Sequence, residues 1–168
     1  MKASLKSVVA LSALSAVAIA PLVLSAGAAY ADTGAYIGGG ASYGFDDGDD
    51  DDVSGNIQGN LPVLNGKVSV RGAVLYSEDN SAIVPTVTYN VPINGRINGY
   101  IGGGYSFVQE EGEQTSVGVQ DAPVAVVGVE GRVTNDIVGY ADTKIGINAG
   151  ENDNTVFGVH AGVGLRLR

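Results

Sequence analysis

Cysteine is absent from this chain and basic residues are scarce: nine lysines and arginines stand against eighteen aspartates and glutamates in 168 residues. Without cysteine there is no disulfide framework, so stability must come from the fold itself. The charge balance excludes nucleic-acid binding, which needs a basic surface. Past residue 31 long apolar runs are missing too. Stretches such as Val124 to Val129 fall far short of the ~20 apolar residues that a spanning helix requires. No capped helical pattern occurs, and the 26 glycines recur inside the apolar segments, where they weaken helices.

The N-terminus reads as an export signal. Lys2 and Lys6 precede an apolar run from Val8 to Leu24, and Ala29-Tyr30-Ala31 supplies the small residues that a signal peptidase reads. Pro21 and the small-residue exit argue against a membrane anchor. The expected organisation is a signal peptide over residues 1–31 and one domain over residues 32–168. That domain holds seven basic and all eighteen acidic residues, a net charge of −11.

Within the domain, alternation with a period of two repeats eight times, which is the pattern of β-strands with one apolar face. The segments are Ala35 to Phe45, about Gly55 to Leu64, Lys67 to Tyr76, Ile83 to Val91, Arg96 to Phe107, Val124 to Val133, Ile137 to Asn148 and Phe157 to Arg168. The last is the cleanest: Phe157, Val159, Ala161, Val163, Leu165 and Leu167 alternate with Gly158, His160, Gly162, Gly164, Arg166 and Arg168. Val124 and Val126 blur the sixth. The segments match the ~9–11 residues with which a tilted strand crosses a bilayer.

The links between segments alternate in length. Asn65-Gly66 and Asn94-Gly95 read as two-residue type I′ hairpin turns, and Thr134-Asn135-Asp136 is nearly as tight. The links 46–53, 77–81, 108–122 and 149–155 are longer and hold fourteen of the eighteen acidic residues. Short turns at one end and longer loops at the other are the organisation of outer-membrane barrels.

A soluble barrel would show the same alternation with its apolar face inward. Three features favour the inverted arrangement. The polar face is rich in Gly and Ser, which suits a narrow lumen. No charge falls on the apolar face. Tyr43, Phe45, Tyr76, Tyr105, Phe107 and Phe157 gather on that face beside the longer loops, as an aromatic girdle at a water interface does, with Tyr89 near the opposite end. Arg71, Arg96, Glu130, Arg132, Asp142, Lys144, His160 and Arg166 then share inward parity and form a candidate lumen charge network. Charges in a low-dielectric interior must pair or meet water, so Glu130 and Asp142 are expected to bridge to Arg or Lys on neighbouring strands. Lys67 and Arg168 have the same parity, and this excess of inward cations would favour anions if it lined a thin aqueous path.

Two other clusters invite chemistry. His160 is the one histidine. Ala161 and Gly162 follow it, so the nearby Ser that barrel-embedded lipid A deacylases use is missing, and a hydrogen-bonding role in the lumen is expected instead. Asp46, Asp47, Asp49, Asp50, Asp51 and Asp52 could share a divalent cation weakly, but their spacing fits no EF-hand loop. A solvated, self-repelling loop is the plainer reading. The Gly38-Gly39-Gly40 and Gly102-Gly103-Gly104 strings lie in strand pattern with no helix following, so they are not phosphate loops.

Eight alternating strands, tight Asn-Gly turns and glycine-rich segments such as Tyr100 to Phe107 resemble the OmpA/OmpX-like small outer-membrane barrels, the porin-family proteins of the Gram-negative cell envelope. The resemblance spans the whole domain. It implies an all-β, up-and-down antiparallel transmembrane barrel of eight strands, exported through the periplasm to the cell outer membrane. Its partners would be outer-membrane lipid and the outer-membrane assembly machinery. A structural or surface-interaction role follows, with a narrow porin for ions or small solutes as the alternative. The family implies no cofactor, no catalytic residue and a monomer. Members usually end on an aromatic residue that the assembly machinery recognises, whereas this chain ends Leu165-Arg166-Leu167-Arg168, which weakens that signal. The sequence names no surface partner.

Overall fold

The computed structural model describes residues 33–45, 52–77, 80–110, 115–150 and 153–167. Residues that alternate between large apolar and small or polar side chains form eight strands: β1 (Tyr36–Phe45), β2 (Asp52–Val63), β3 (Val68–Tyr76), β4 (Ser81–Asn94), β5 (Ile97–Val108), β6 (Ala122–Arg132), β7 (Ile137–Gly146) and β8 (Val156–Arg166). Each pairs antiparallel with its sequence neighbours, and β8 returns to β1 to close the barrel. Closure leaves no sheet edge unpaired. Tyr36 pairs with Arg166 across the β1–β8 seam. Followed the other way, its row of partners runs through Asn60, Arg71, Thr86, Gly104, Val124 and Gly146 to Val156, ten residues from Arg166 on the same strand. That stagger requires a strong strand tilt, roughly 35–45° in barrels generally.

The barrel is inside-out. Ile83, Leu61 and Leu165 on the outer face are 58, 56 and 64% exposed, while Glu130 and His160 inside are 1% and 0% exposed. No charged residue occupies an outward position in any described strand. Among the described residues no helix is long and apolar enough to cross a membrane.

The links differ in detail from the sequence expectation. The first is wider than a two-residue turn. Val63 and Val68 are the last pair of β2 and β3, and Leu64, Asn65 and Gly66 between them all hold positive φ. The second is displaced by one residue. Ile93 is an extra residue in β4, because Pro92 pairs with Asn98 while Asn94 pairs with Ile97. This bulge moves the turn to Gly95-Arg96. There the Asn94 side chain accepts hydrogen bonds from the backbone N–H groups of Arg96 (2.8 Å) and Ile97 (3.0 Å). Strand β2 begins at Asp52 rather than near Gly55. The expected signal peptide, residues 1–31, and Asp46 to Asp51 lie outside the described residues, as does the Asp52 side chain.

Candidate functional site: a filled lumen and its plug

The strands turn three tyrosines, four charges and the histidine inward, and they fill the lumen in two connected layers. Near the short-turn end, Arg71 of β3 reaches Glu130 of β6 at 2.9 Å, with both side chains buried. The guanidinium also donates to Thr88 Oγ1 (3.0 Å), Asn90 Oδ1 (3.3 Å) and the Tyr36 hydroxyl (3.2 Å), and it lies 3.7 Å from the centre of the Tyr100 ring. Glu130 accepts from Thr33 (2.9 Å) and the Tyr36 hydroxyl (3.1 Å). Both charged groups of this layer carry several hydrogen bonds besides their mutual contact, and that is what makes a buried ion pair tolerable.

Halfway along the lumen, Lys144 and Asp142 of β7 pair at 2.5 Å. The Tyr100 hydroxyl donates to the other Asp142 oxygen (2.9 Å), and Lys144 donates to Gln58 (3.3 Å). Tyr140 donates to Asn56 (2.6 Å), and Asn56 donates in turn to Ser42 (3.0 Å). Tyr100 therefore joins the layers, its face on Arg71 and its hydroxyl on Asp142. These rings fit because glycine stands opposite each. An ideal Cβ on Gly128 would come within 2.6 Å of the Tyr100 ring, one on Gly162 within 2.6 Å of the Tyr140 ring, and one on Gly164 within 2.7 Å of the Tyr36 ring.

The loop end is closed by something the sequence reading did not foresee. The β5–β6 link folds back into the mouth, and Thr115, Ser116, Val117 and Val119 are all buried. Val117 packs with Ala73, Leu75, Ala82, Val84 and Val124, an apolar half-ring on the inner wall of β3, β4 and β6. The valines that blurred the sixth segment belong inside: Val124 faces this plug and Val126 is buried with it. On the opposite wall, a Cβ on Gly146 or Gly158 would collide with the backbone of Val117 or Ser116, and one on Gly44 would press on Ser116 Cα at 3.0 Å. The Ser116 hydroxyl meets His160 Nε2 at 3.2 Å.

His160 thus occupies the lumen, with Ser116 on one side and Asp142 Oδ1 3.3 Å from Nδ1 on the other. Serine, imidazole and carboxylate follow one another as in a nucleophilic triad. Two observations oppose that chemistry. Asp142 Oδ1 is already engaged by Lys144, and His160 Nδ1 is too poorly aligned with the carboxylate to form a hydrogen bond. The contact ties the β5–β6 link to β8. Ser116 could not be singled out by spacing, since it lies 44 residues from His160. The signal available was an uncharged Thr-Ser-Val-Gly-Val run inside an acidic link.

Of the eight residues expected in the lumen network, the structure places Arg71, Glu130, Asp142, Lys144 and His160 there. Arg132 and Arg166 keep inward parity as the half-buried last residues of β6 and β8, paired in register with the buried Val138 and Tyr36 at the short-turn rim. Arg96 is the exception: it is exposed in the β4–β5 turn. Lys67 is likewise an exposed turn residue, and Arg168 lies outside the described residues. Parity points a side chain inward only within a strand, and the bulge at Ile93 leaves Arg96 outside one. The fully buried cations Arg71 and Lys144 are matched by Glu130 and Asp142, so the centre of the lumen is balanced and the further inward cations, Arg132 and Arg166, stand at the short-turn rim.

All six aromatics expected at the loop end face outward there. Phe45 pairs with Phe157, Phe107 with Ile83, and Tyr76 with Gly55. Tyr43 packs on Phe45 at 4.6 Å between ring centres, and Tyr105 on Phe107 at 5.0 Å. Tyr89 sits on the outer face near the other end, paired with Val68. The described residues contain no cluster of three or more metal-ligating side chains.

No protein-family model and no curated protein matches this chain. Solved structures do. A de novo designed transmembrane β-barrel is similar over 80% of this chain and 96% of its own, with 11% identity and a TM-score of 0.58. A crystal structure of Neisserial surface protein A covers 79% and 96% at 13% identity and a TM-score of 0.55. The solution structure of the designed barrel TMB2.3 covers 81% and 98% at 11% identity and a TM-score of 0.52. The chain therefore has the fold of small eight-stranded outer-membrane barrels. Two of the three are designs, so the fold by itself carries no activity.

Proposed function

We propose that this protein is an integral outer-membrane barrel with a structural or surface-interaction role, exported through the periplasm, inserted as a monomer and presenting acidic loops to the outside. The observation that carries the reading is the pairing of an uncharged apolar outer wall with a lumen packed by hydrogen-bonded charges. Water cannot satisfy that wall, while lipid can. Outward aromatics at the loop end then lie where acyl chains meet water. Lipid and the outer-membrane assembly machinery are the partners this reading requires, and it assigns no reaction to the chain.

The alternative, a narrow anion-selective porin, rests on an excess of inward cations; against it, the buried centre of the lumen holds two matched pairs. The test is conductance of the refolded chain in a planar bilayer, with folding and insertion confirmed by gel mobility. A silent bilayer is the expected result. Discrete anion-preferring steps that vanish in Arg71→Gln would overturn the structural reading.

A further inference from the structure

The segment 115–119 fills the loop-end mouth with buried side chains. We propose that it is a withdrawable plug: a gate on the loop-end mouth that alternates between its seat and the outside, uncovering His160 and the Asp142–Lys144 pair when it leaves.

Three independent features support a moving part. The first is that the plug satisfies its own backbone. Thr115 and Gly118 form an isolated antiparallel bridge, with N–H groups bonded reciprocally at 3.0 and 3.1 Å, and the Thr115 hydroxyl also donates to Gly118 O at 2.5 Å. A turn that closes on itself can cross between protein and water without stranding polar groups. Gly118 makes the turn possible at φ +130, and a Cβ there would meet Ala149.

The second is the seat. It is carved from both walls, by Gly44, Gly146 and Gly158 on one side and by the apolar half-ring around Val117 on the other. Small residues at these positions leave a slot in the inner wall, where filling side chains would make a continuous core.

The third is that the plug is held by side-chain packing rather than by a ladder. The β-ladders that bind every wall strand on both sides do not extend to it. Among the described residues its hydrogen bonds to the wall are the Val119 N–H to Ala149 O (2.8 Å) and the Ser116 hydroxyl to His160, with Gln120 bonded to Asn148 O (2.8 Å) at the rim. Segments outside the ladders can open at lower cost than the strands they cover. The plug itself, Thr115 to Val119, is uncharged, while Glu110, Glu111 and Glu113 precede it in sequence and Asp121 follows it.

The absence of cysteine makes the motion measurable. Single-cysteine chains would be reconstituted in lipid vesicles and treated with a water-soluble maleimide. Val117→Cys reports the plug. Asn154→Cys, exposed at the loop end, marks full access, and Ser69→Cys, 0% exposed near the short turns, marks none. Val117→Cys is expected to react about tenfold slower than the first and about tenfold faster than the second, the signature of a minor open state. Adding Gly158→Val, which places side-chain atoms where the Ser116 carbonyl sits, should bring Val117→Cys close to the exposed rate and leave Ser69→Cys unchanged. If Gly158→Val does not refold, Ser116→Ala removes the contact with His160 with no added bulk and should accelerate labelling in the same direction. Val117→Cys reacting no faster than Ser69→Cys would show a fixed stopper. A rate equal to that of Asn154→Cys would show no seat at all, and acceleration of both reporters together would show a loosened barrel; each of these overturns the gate. The readout requires only a folded barrel in lipid, so it stands apart from whether that barrel conducts.

Discussion

The Tyr100 ring on β5 lies against Gly128 of the neighbouring strand β6, its direct partner in the ladder. From there it covers the Arg71 guanidinium and donates to Asp142, so one residue binds both charge layers of the lumen. Gly128→Val should force this ring aside and destabilise the barrel by about 1–3 kcal/mol, the usual effect of overpacking. Tyr100→Phe keeps the ring and leaves Asp142 short of one donor, costing about 1–3 kcal/mol. Urea unfolding from lipid vesicles would measure both.

Removing one member of the Arg71–Glu130 pair leaves a buried charge without its counter-ion. Glu130→Met or Arg71→Met alone is expected to cost about 3–5 kcal/mol, while the double replacement should cost much less, because no orphan charge remains. A double-mutant cycle by the same unfolding measurement checks the difference. Additive costs would mean that the two side chains do not act as a pair.

Arg96 shares its inward parity with Asn98 and Tyr100 but sits in the exposed turn. Arg96→Gln should therefore alter stability by no more than about 0.5 kcal/mol, as surface substitutions do. A loss comparable to that of Arg71→Met would return Arg96 to the lumen.

At the same turn, Asn94→Ala removes the acceptor for two backbone N–H groups and should cost about 1 kcal/mol, comparable to the loss of a helix cap. The exchange rates of the Arg96 and Ile97 amides should rise with it.

Architecture was legible in the sequence because a side-chain period of two survives in every strand, most plainly from Phe157 to Leu167. The outward aromatics could be read for the same reason. Closer to the site, the same rule reached its limits. It could not tell that Ile93 is an extra residue in β4, and so it placed the turn and Arg96 one step out of register. It took Val124 and Val126 as noise, because apolar residues on both faces of a strand look alike in a pattern. The plug was invisible for a different reason: whether Val117 packs on Leu75 and Val84 depends on how a link folds back, and a link has no period to read.

The pairing of Arg71 with Glu130 and of Lys144 with Asp142 has an electrical meaning. Each cancels where it stands, so the lumen is rich in ions and yet neutral at its centre. Between the two layers a charge would meet no net ion, only local dipoles already turned toward one another. Neutralising any one of those four side chains would leave a net charge at the centre of the lumen, where the pairs now cancel.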